Sequence, residues 1–404
     1  MANNLLAFSP EYRSARAQFL LKKMLVAREI SNMEERSTLK NGIKVHRPYH
    51  SDVKVNTYTK GTNVTPQDIT VTDEYLTVDQ TKEATVYIDD IDVIQNDYNT
   101  ANLLVDRITY ALKRDIDGAF LAEVANAAFA IDDATFSGGT ASNGITATVS
   151  NVFKLFTTAE ATLNNNNVED TKPWFAVITP DLKALIQQTN LFNGFNQADA
   201  ALHGTLKGMG YLATWGNFNV FVSNNVKHTI TFTSATLLVA TNVVTINGVA
   251  FTIVASGGSA STAGDVSLVG TSVANTLTNL AAAINGTGTP WSSTYIEISA
   301  ANRAKLNQSG CVATATATTI TFVFQGKPTV SYTGSVSGTA WGTAISHCWF
   351  GQYGATDLVI QSDVKVQNNK DPLKTGFNYL CYTLYGIKTF NEGAQRGVRV
   401  LVNN

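Results

Sequence analysis

A chain of 404 residues with a formal net charge of −2 and 44% apolar side chains exceeds what one hydrophobic core usually organises, so two or three packed regions are expected. No window approaches the ~18 apolar residues of a membrane span, and the first ten residues lack the basic start and apolar run of a secretory signal. Balanced charge argues against a dedicated nucleic-acid binder. Three widely spaced cysteines, Cys311, Cys348 and Cys381, with no Cys-x-x-Cys pair, argue against a disulfide framework or a zinc site and fit a reducing cytosol.

The charge is unevenly placed. Residues 1–47 carry nine basic side chains against four acids, net +5. Ser9-Pro10-Glu11 has the cap, proline and early acid of a helix start, and Tyr12, Ala15, Phe19, Val26 and Ile30 follow at helical spacing. A basic amphipathic arm is expected there, then a loosely structured connector from Ser31 to Tyr49. Between 52 and 90, Val53 and Val55 alternate with polar residues, as do Ile69 and Val71, predicting an extended hairpin. It has too few large apolar side chains to stand alone and needs a partner surface.

Leu103, Leu104, Ile108, Leu112, Ile116, Phe120 and Val124 then recur at three- and four-residue steps, predicting one helix over 99–130, about 48 Å long. A helix over Val149–Leu163 follows, then a buried strand at Trp174–Ile178 leading into an Asp181-initiated helix, and strands around a Gly216-Asn217 turn. From His228 to Ser346 the only charged side chains are Asp265, Glu297, Arg303, Lys305 and Lys327. Within it lie an Asn247-Gly248 hairpin, a helix over Val273–Ile284 and a strand over Thr319–Phe324, enough amphipathic structure to close a small α+β core as an insertion. Val364 to Phe390 supplies two long strands joined through Asn369-Lys370-Asp371-Pro372.

This order of basic arm, Thr/Val hairpin, long helix, mixed second half and long terminal strands resembles the major capsid proteins of tailed bacteriophages. The matching segments are Tyr87 to Gln95 leading into the long helix, Trp174 to Leu185, Gly216 to Asn224, and Leu384-Tyr385-Gly386-Ile387-Lys388. The resemblance covers nearly the whole chain outside the insertion. It implies the α+β, Hong Kong-97-type capsid fold: an N-terminal arm (1–51), an extended loop (52–92), a peripheral domain (93–170 and 357–392) with its spine helix, and an axial domain (171–227, 347–356 and 393–404). A small α+β domain (228–346) would be inserted into the axial part.

It further implies a structural subunit that forms pentamers and hexamers and encloses double-stranded DNA in a virion shell assembled in the host bacterial cytoplasm. A separate scaffolding protein, a portal and a decoration protein are the other implied partners, with no membrane, no enzymatic activity and no cofactor. The hairpin residues Val55, Tyr58, Lys60, Ile69, Tyr75 and Tyr87 would contact the neighbouring subunit. Lys60, near the hairpin tip, is the position that an inter-subunit isopeptide bond of the kind one branch of the family forms would use, but nothing around it singles it out and most shells of this type do without. Arg13, Arg16, Lys22 and Lys23 of the arm would face scaffold or packaged DNA, or form an ordinary solvated helix face.

Other constellations have plainer readings. Asp89, Asp90 and Asp92 lack calcium-loop spacing, and His46, His50 and His347-Cys348 lack zinc-ligand companions. Gly334-Ser335-Val336-Ser337-Gly338 has valine where a serine elbow needs its nucleophile. No Walker loop, His-Glu-x-x-His or dinucleotide fingerprint occurs. An alternative function is adhesion or surface decoration through the charge-poor insertion.

Overall fold

The computed structural model describes residues 25–34, 42–51, 53–64, 66–95, 100–168, 172–188, 211–215, 217–257, 260–269, 272–291, 293–334, 336–370 and 375–403. Most of the expected arm, with Arg13, Arg16, Lys22 and Lys23, lies outside the described residues. Where the description begins, a single helical turn, α1 (Ala27–Ile30), is held by a side chain distant in sequence. The N–H groups of Val26 and Ala27 donate to Oδ1 of Asp117 at 2.7 and 2.8 Å, and Asn225 Nδ2 donates to Oδ2 at 2.9 Å.

Strand β1 (Lys44–His50) pairs antiparallel with β2 (Val71–Thr77). The segment read from sequence as a loose connector up to Tyr49 is thus a strand from Lys44 onward. Lys44, His46, Arg47 and His50 put polar groups on both faces and Pro48 removes a donor, so a period-two apolar pattern never forms. Pairing with β2 supplies the order instead. Next come β3 (Gln80–Asp89), α2 (Asp90–Gln95) and the spine helix α3 (Thr100–Ala122). Asp89 accepts the Ile91 N–H at 3.0 Å, and this bond holds its carboxyl below the usual range. The acid at this strand end therefore caps a helix.

The spine helix expected to reach Ala130 stops at Ala122. A 3-10 turn (Glu123–Asn126) follows, and β4 (Phe129–Ile131) pairs in parallel with the last strand of the chain. A tertiary ladder overrides local helical spacing at this point. Gly118, a weak point on propensity, faces the end of the Gln325 side chain: a Cβ there would stand 2.4 Å from that flexible amide, which would have to swing aside.

After α4 (Asp133–Ser137) and α5 (Val152–Asn165) comes β5 (Trp174–Ile178), in which every residue is buried. Trp174, Ala176 and Ile178 pack with Phe156, Phe218 and Phe350, while Phe175 and Val177 pack with Phe120, Val124 and Trp349 below α3. Burial on both faces explains the unbroken apolar run. Helix α6 (Pro180–Gln188) follows, then β6 (Tyr211–Trp215), antiparallel to β7 (Phe218–Val222), which pairs in parallel with β5.

The charge-poor stretch contributes β8 (Lys227–Ser234), β9 (Val243–Ile246), β10 (Val249–Val254), β11 (Asp265–Ser267), α7 (Val273–Asn285), α8 (Ala300–Gln308), β12 (Val312–Ala315), β13 (Thr319–Gln325), β14 (Val330–Thr333) and β15 (Thr339–Trp341). Asn247 and Gly248 both have positive φ, +49° and +77°, as the tight β9–β10 turn demands. Phe232, Phe251, Leu277, Leu280, Phe322 and Phe324 close a core drawn from this stretch alone. Arg303 seals the end of α7, donating to the carbonyls of Ala283 and Ile284 and pairing with Glu297; a cation there complements the helix dipole.

The chain finishes with β16 (Ile345–Gln352), β17 (Asp357–Lys370), β18 (Gly376–Lys388), α9 (Asn391–Gln395) and β19 (Gly397–Asn403). Strands β17, β18 and β3 form the three-stranded sheet on which α3 lies. Strand β16 pairs with β19 along one edge and with both β8 and β5 along the other. One ladder therefore joins the charge-poor core to the β5–β7 core.

His347 sits at that junction. Burial first, and then Lys227, Arg399 and His228, push its imidazole down to about 3 from an ordinary 6.5. As pH falls the unfolded chain takes up this proton before the folded one. Stability is intact above 6.5 and lost progressively between 6.5 and about 3. The urea midpoint should drop by several tenths of a molar or more across that window, and His347→Gln should flatten the decline.

Candidate inter-subunit surface

The β1–β2 hairpin is fixed at its base and bare beyond it. At the base, Leu76 and Val78 are buried against Val359 and Phe390. Arg47 Nη1 lies 2.9 Å from Oδ2 of the buried Asp357, and its guanidinium stacks 4.4 Å from the Phe390 ring centroid. Asp357 Oδ1 also accepts from Asn32 Nδ2 at 2.5 Å, and Glu74 Oε2 accepts the Asn391 N–H at 2.9 Å. Gln361 Nε2 donates to the Gly42 carbonyl at 2.9 Å.

Gly386 explains its place in the Leu384 to Lys388 segment. The hairpin's return strand crosses it so closely that a Cβ would stand 2.4 Å from the Thr77 carbonyl oxygen. Gly386→Ala should cost about 2 kcal/mol by overpacking, read as a lowered urea midpoint with a loosened, protease-sensitive hairpin base.

Past the ladder the two strands continue side by side. Ser51 N–H donates to the Thr70 carbonyl at 3.0 Å, and the Gln67 side chain bonds both the N–H and the carbonyl of Lys54, at 3.0 and 2.5 Å. The tip turns at Gly61, φ +91°, with Thr62 N–H donating to the Thr59 carbonyl at 3.1 Å. From Lys44 to Lys60 the hairpin reaches about 50 Å at ~3.3 Å per residue. Val53, Val55, Tyr58, Val64, Ile69, Val71 and Tyr75 are all exposed, Val55 at 98%. Together with Tyr49 they make eight of the seventeen exposed large apolar side chains among the described residues, all on this one hairpin.

Of the six contact residues expected from sequence, Val55, Tyr58, Lys60, Ile69 and Tyr75 share this exposed ribbon. Tyr87 does not. It lies on β3, half-buried, with its hydroxyl 3.0 Å from Asp89 Oδ2 and 3.1 Å from the Thr375 carbonyl oxygen. Sequence reading missed Ile91 and Ile94, exposed on α2, which looked like the tail of a strand. It also missed the clamp residues Arg47, Glu74 and Asp357, whose partners are remote in sequence.

Chemistry is sparse around these surfaces. Among the described residues no group of three or more His, Cys, Asp or Glu is placed to hold a metal ion, and no helix is long and apolar enough to cross a membrane. The three cysteines are free, and burial pushes the Cys348 thiol up to about 11 and Cys311 to about 12.

No protein-family model and no curated protein matches the chain. Solved structures do. One from Mycobacterium phage Che8 superposes with a TM-score of 0.57 at 14% identity, covering 99% of this chain and 98% of that one. The capsid of cyanophage P-SCSP1u gives 0.52 at 11% identity, covering 100% and 96%. The head of Helicobacter pylori bacteriophage KHP40 gives 0.51 at 9%, covering 99% and 98%. With the clamped hairpin, the spine helix on its three-stranded sheet and end-to-end superposition on phage heads, the chain has the α+β, Hong Kong-97-type fold of tailed-phage capsid subunits.

Proposed function

We propose that this protein is the structural subunit of a tailed-phage capsid, assembling through pentamers and hexamers into an icosahedral shell around double-stranded DNA. The observation that carries the reading is the hairpin: a ribbon about 50 Å long, rigidly clamped at one end, that leaves Val53, Val55, Tyr58, Val64 and Ile69 in water. Exposed apolar side chains on an open two-stranded ribbon invite association. In a closed shell the neighbouring copy covers them, by a head-to-tail contact that closes into rings.

In this reading residues 93–170 and 357–392 make the peripheral part, 171–227, 347–356 and 393–404 the axial part, and 228–346 an outward insertion. The basic arm, with Arg13, Arg16, Lys22 and Lys23, faces scaffold or DNA, and its contacts weaken with salt. A portal and a decoration protein complete the set of partners. Electron microscopy of the expressed full chain, alone and with a co-expressed scaffold, tests the proposal. Shells or capsomers are expected; a chain that stays monomeric in both settings sinks it.

A second reading, adhesion through the insertion, is favoured by Trp291. Its indole is exposed, while the residue's backbone N–H donates to the Tyr295 carbonyl at 3.0 Å, so the ring projects from a hydrogen-bonded backbone on a nearly uncharged surface. Binding of the full chain to immobilised neutral glycans, lost in Trp291→Ala, would support it; no binding removes it.

A further inference from the structure

The sheet face beneath the end of α3 gathers cations and leaves donors without acceptors. Ser346 on β16 opposes His228 on β8, so extending that register sets Lys227 across from His347, while Arg399 on β19 opposes Trp349. His347 Nε2 meets Thr229 Oγ1 at 2.8 Å. Alternation along the strands then places Lys227, Thr229, His347, Trp349 and Arg399 on one face. The acid that acts on Lys227 is Glu123, whose Oε2 already accepts from Asn126 Nδ2 at 2.8 Å and Thr389 Oγ1 at 3.0 Å. Arg399 has no ion pair among the described residues.

Three nitrogens on this face lack a hydrogen-bond partner: Trp349 Nε1, His347 Nδ1 and Arg399 Nε. Trp349 is 2% exposed and His347 8%, so bulk water does not serve them. A Cβ on Gly397 would stand 3.2 Å from Trp349 Nε1. The indole N–H therefore faces a strand position with no side chain, two residues from Arg399 on the same face of β19. Buried N–H donors without an acceptor are costly, and a desolvated cation excess beside them is what an oxyanion satisfies, by charge-assisted hydrogen bonds.

We propose that Trp349 Nε1 and the Arg399 guanidinium, backed by Lys227, bind a small tetrahedral oxyanion of the phosphate or sulfate class. Half-buried Lys227 and Arg399 form its route from solvent. The anion offsets the cation excess at the junction of the two cores and accepts the indole proton donor that no protein group meets.

Thermal unfolding of the full chain in phosphate, against chloride at matched ionic strength, tests this. Phosphate also stabilises proteins generally by exclusion from their surfaces, so the readout is the difference between wild type and variants. Trp349→Phe keeps the ring contacts with Phe120 and Phe175, at 5.3 and 5.6 Å between centroids, and removes only the donor. The wild type should show a saturable, phosphate-specific rise in Tm. Trp349→Phe should weaken the apparent affinity about tenfold, the scale of one lost hydrogen bond to a charged group; Arg399→Gln should abolish the saturable part. A density map of the protein in phosphate buffer should show a tetrahedral peak beside Gly397. Equal stabilisation of all three proteins, no phosphate-specific rise, or a lone water at that position would overturn the assignment.

Discussion

Replacing Val55 and Tyr58 together with aspartate should abolish shell assembly and leave the subunit folded. Both side chains stand in water in the single subunit, so the substitutions should change its stability by no more than about 0.5 kcal/mol each. In the proposed shell a neighbouring copy covers them. Carrying two carboxylates into an apolar contact then costs several kcal/mol per hairpin, and about 4 kcal/mol already lowers association a thousandfold. In the proposed rings each subunit gives and receives this contact, so the loss would repeat around every ring. Sedimentation velocity and electron microscopy should find dispersed subunits, with an unchanged circular-dichroism melt. Val239→Asp, at an exposed apolar site outside the hairpin, should assemble normally. Shells of ordinary size from the double variant would refute the role given to the hairpin.

Asp117→Ala should be the most damaging single change to the fold. The carboxylate is 1% exposed and meets the N–H groups of Val26 and Ala27 and the Asn225 amide. Truncation strands three buried donors at once, for a loss of about 3–5 kcal/mol. Urea unfolding measures the total, and hydrogen exchange at the Val26 and Ala27 amides shows where it falls. Asp117→Asn keeps an acceptor for the two backbone groups but sets its own amide against that of Asn225, and should lie between the two. A loss under 1 kcal/mol for alanine would mean that the arm is held by other contacts.

Elements whose cause is local were legible in the sequence. The Asn247-Gly248 turn, the helix from Val273, the doubly buried β5 and the strand at Thr319 each follow from short-range periodicity or turn chemistry. Elements whose cause is remote were not. Strand β1 has no apolar alternation of its own, and the end of α3 is decided by the ladder between Phe129 and Val398. The exposure of Val55, Tyr58, Lys60, Ile69 and Tyr75 follows from a ribbon that cannot bury itself. Tyr87 could not be separated from them, since its tie to the Thr375 carbonyl lies almost three hundred residues away. The clamp of Arg47, Glu74 and Asp357 left no trace in spacing.

That clamp also sets a clock. Glu74 and Asn391 are 317 residues apart, and at roughly 5–20 residues per second a ribosome needs about 15–60 s to travel from one to the other. Through that interval the nascent ribbon is made but unfastened, since Asp357, Gln361 and Asn391 have yet to emerge. The clamp can close only after Asn391 has emerged. Under the proposed assembly, the readiness of a copy to join its neighbours would therefore wait on the emergence of residues made long after the ribbon itself.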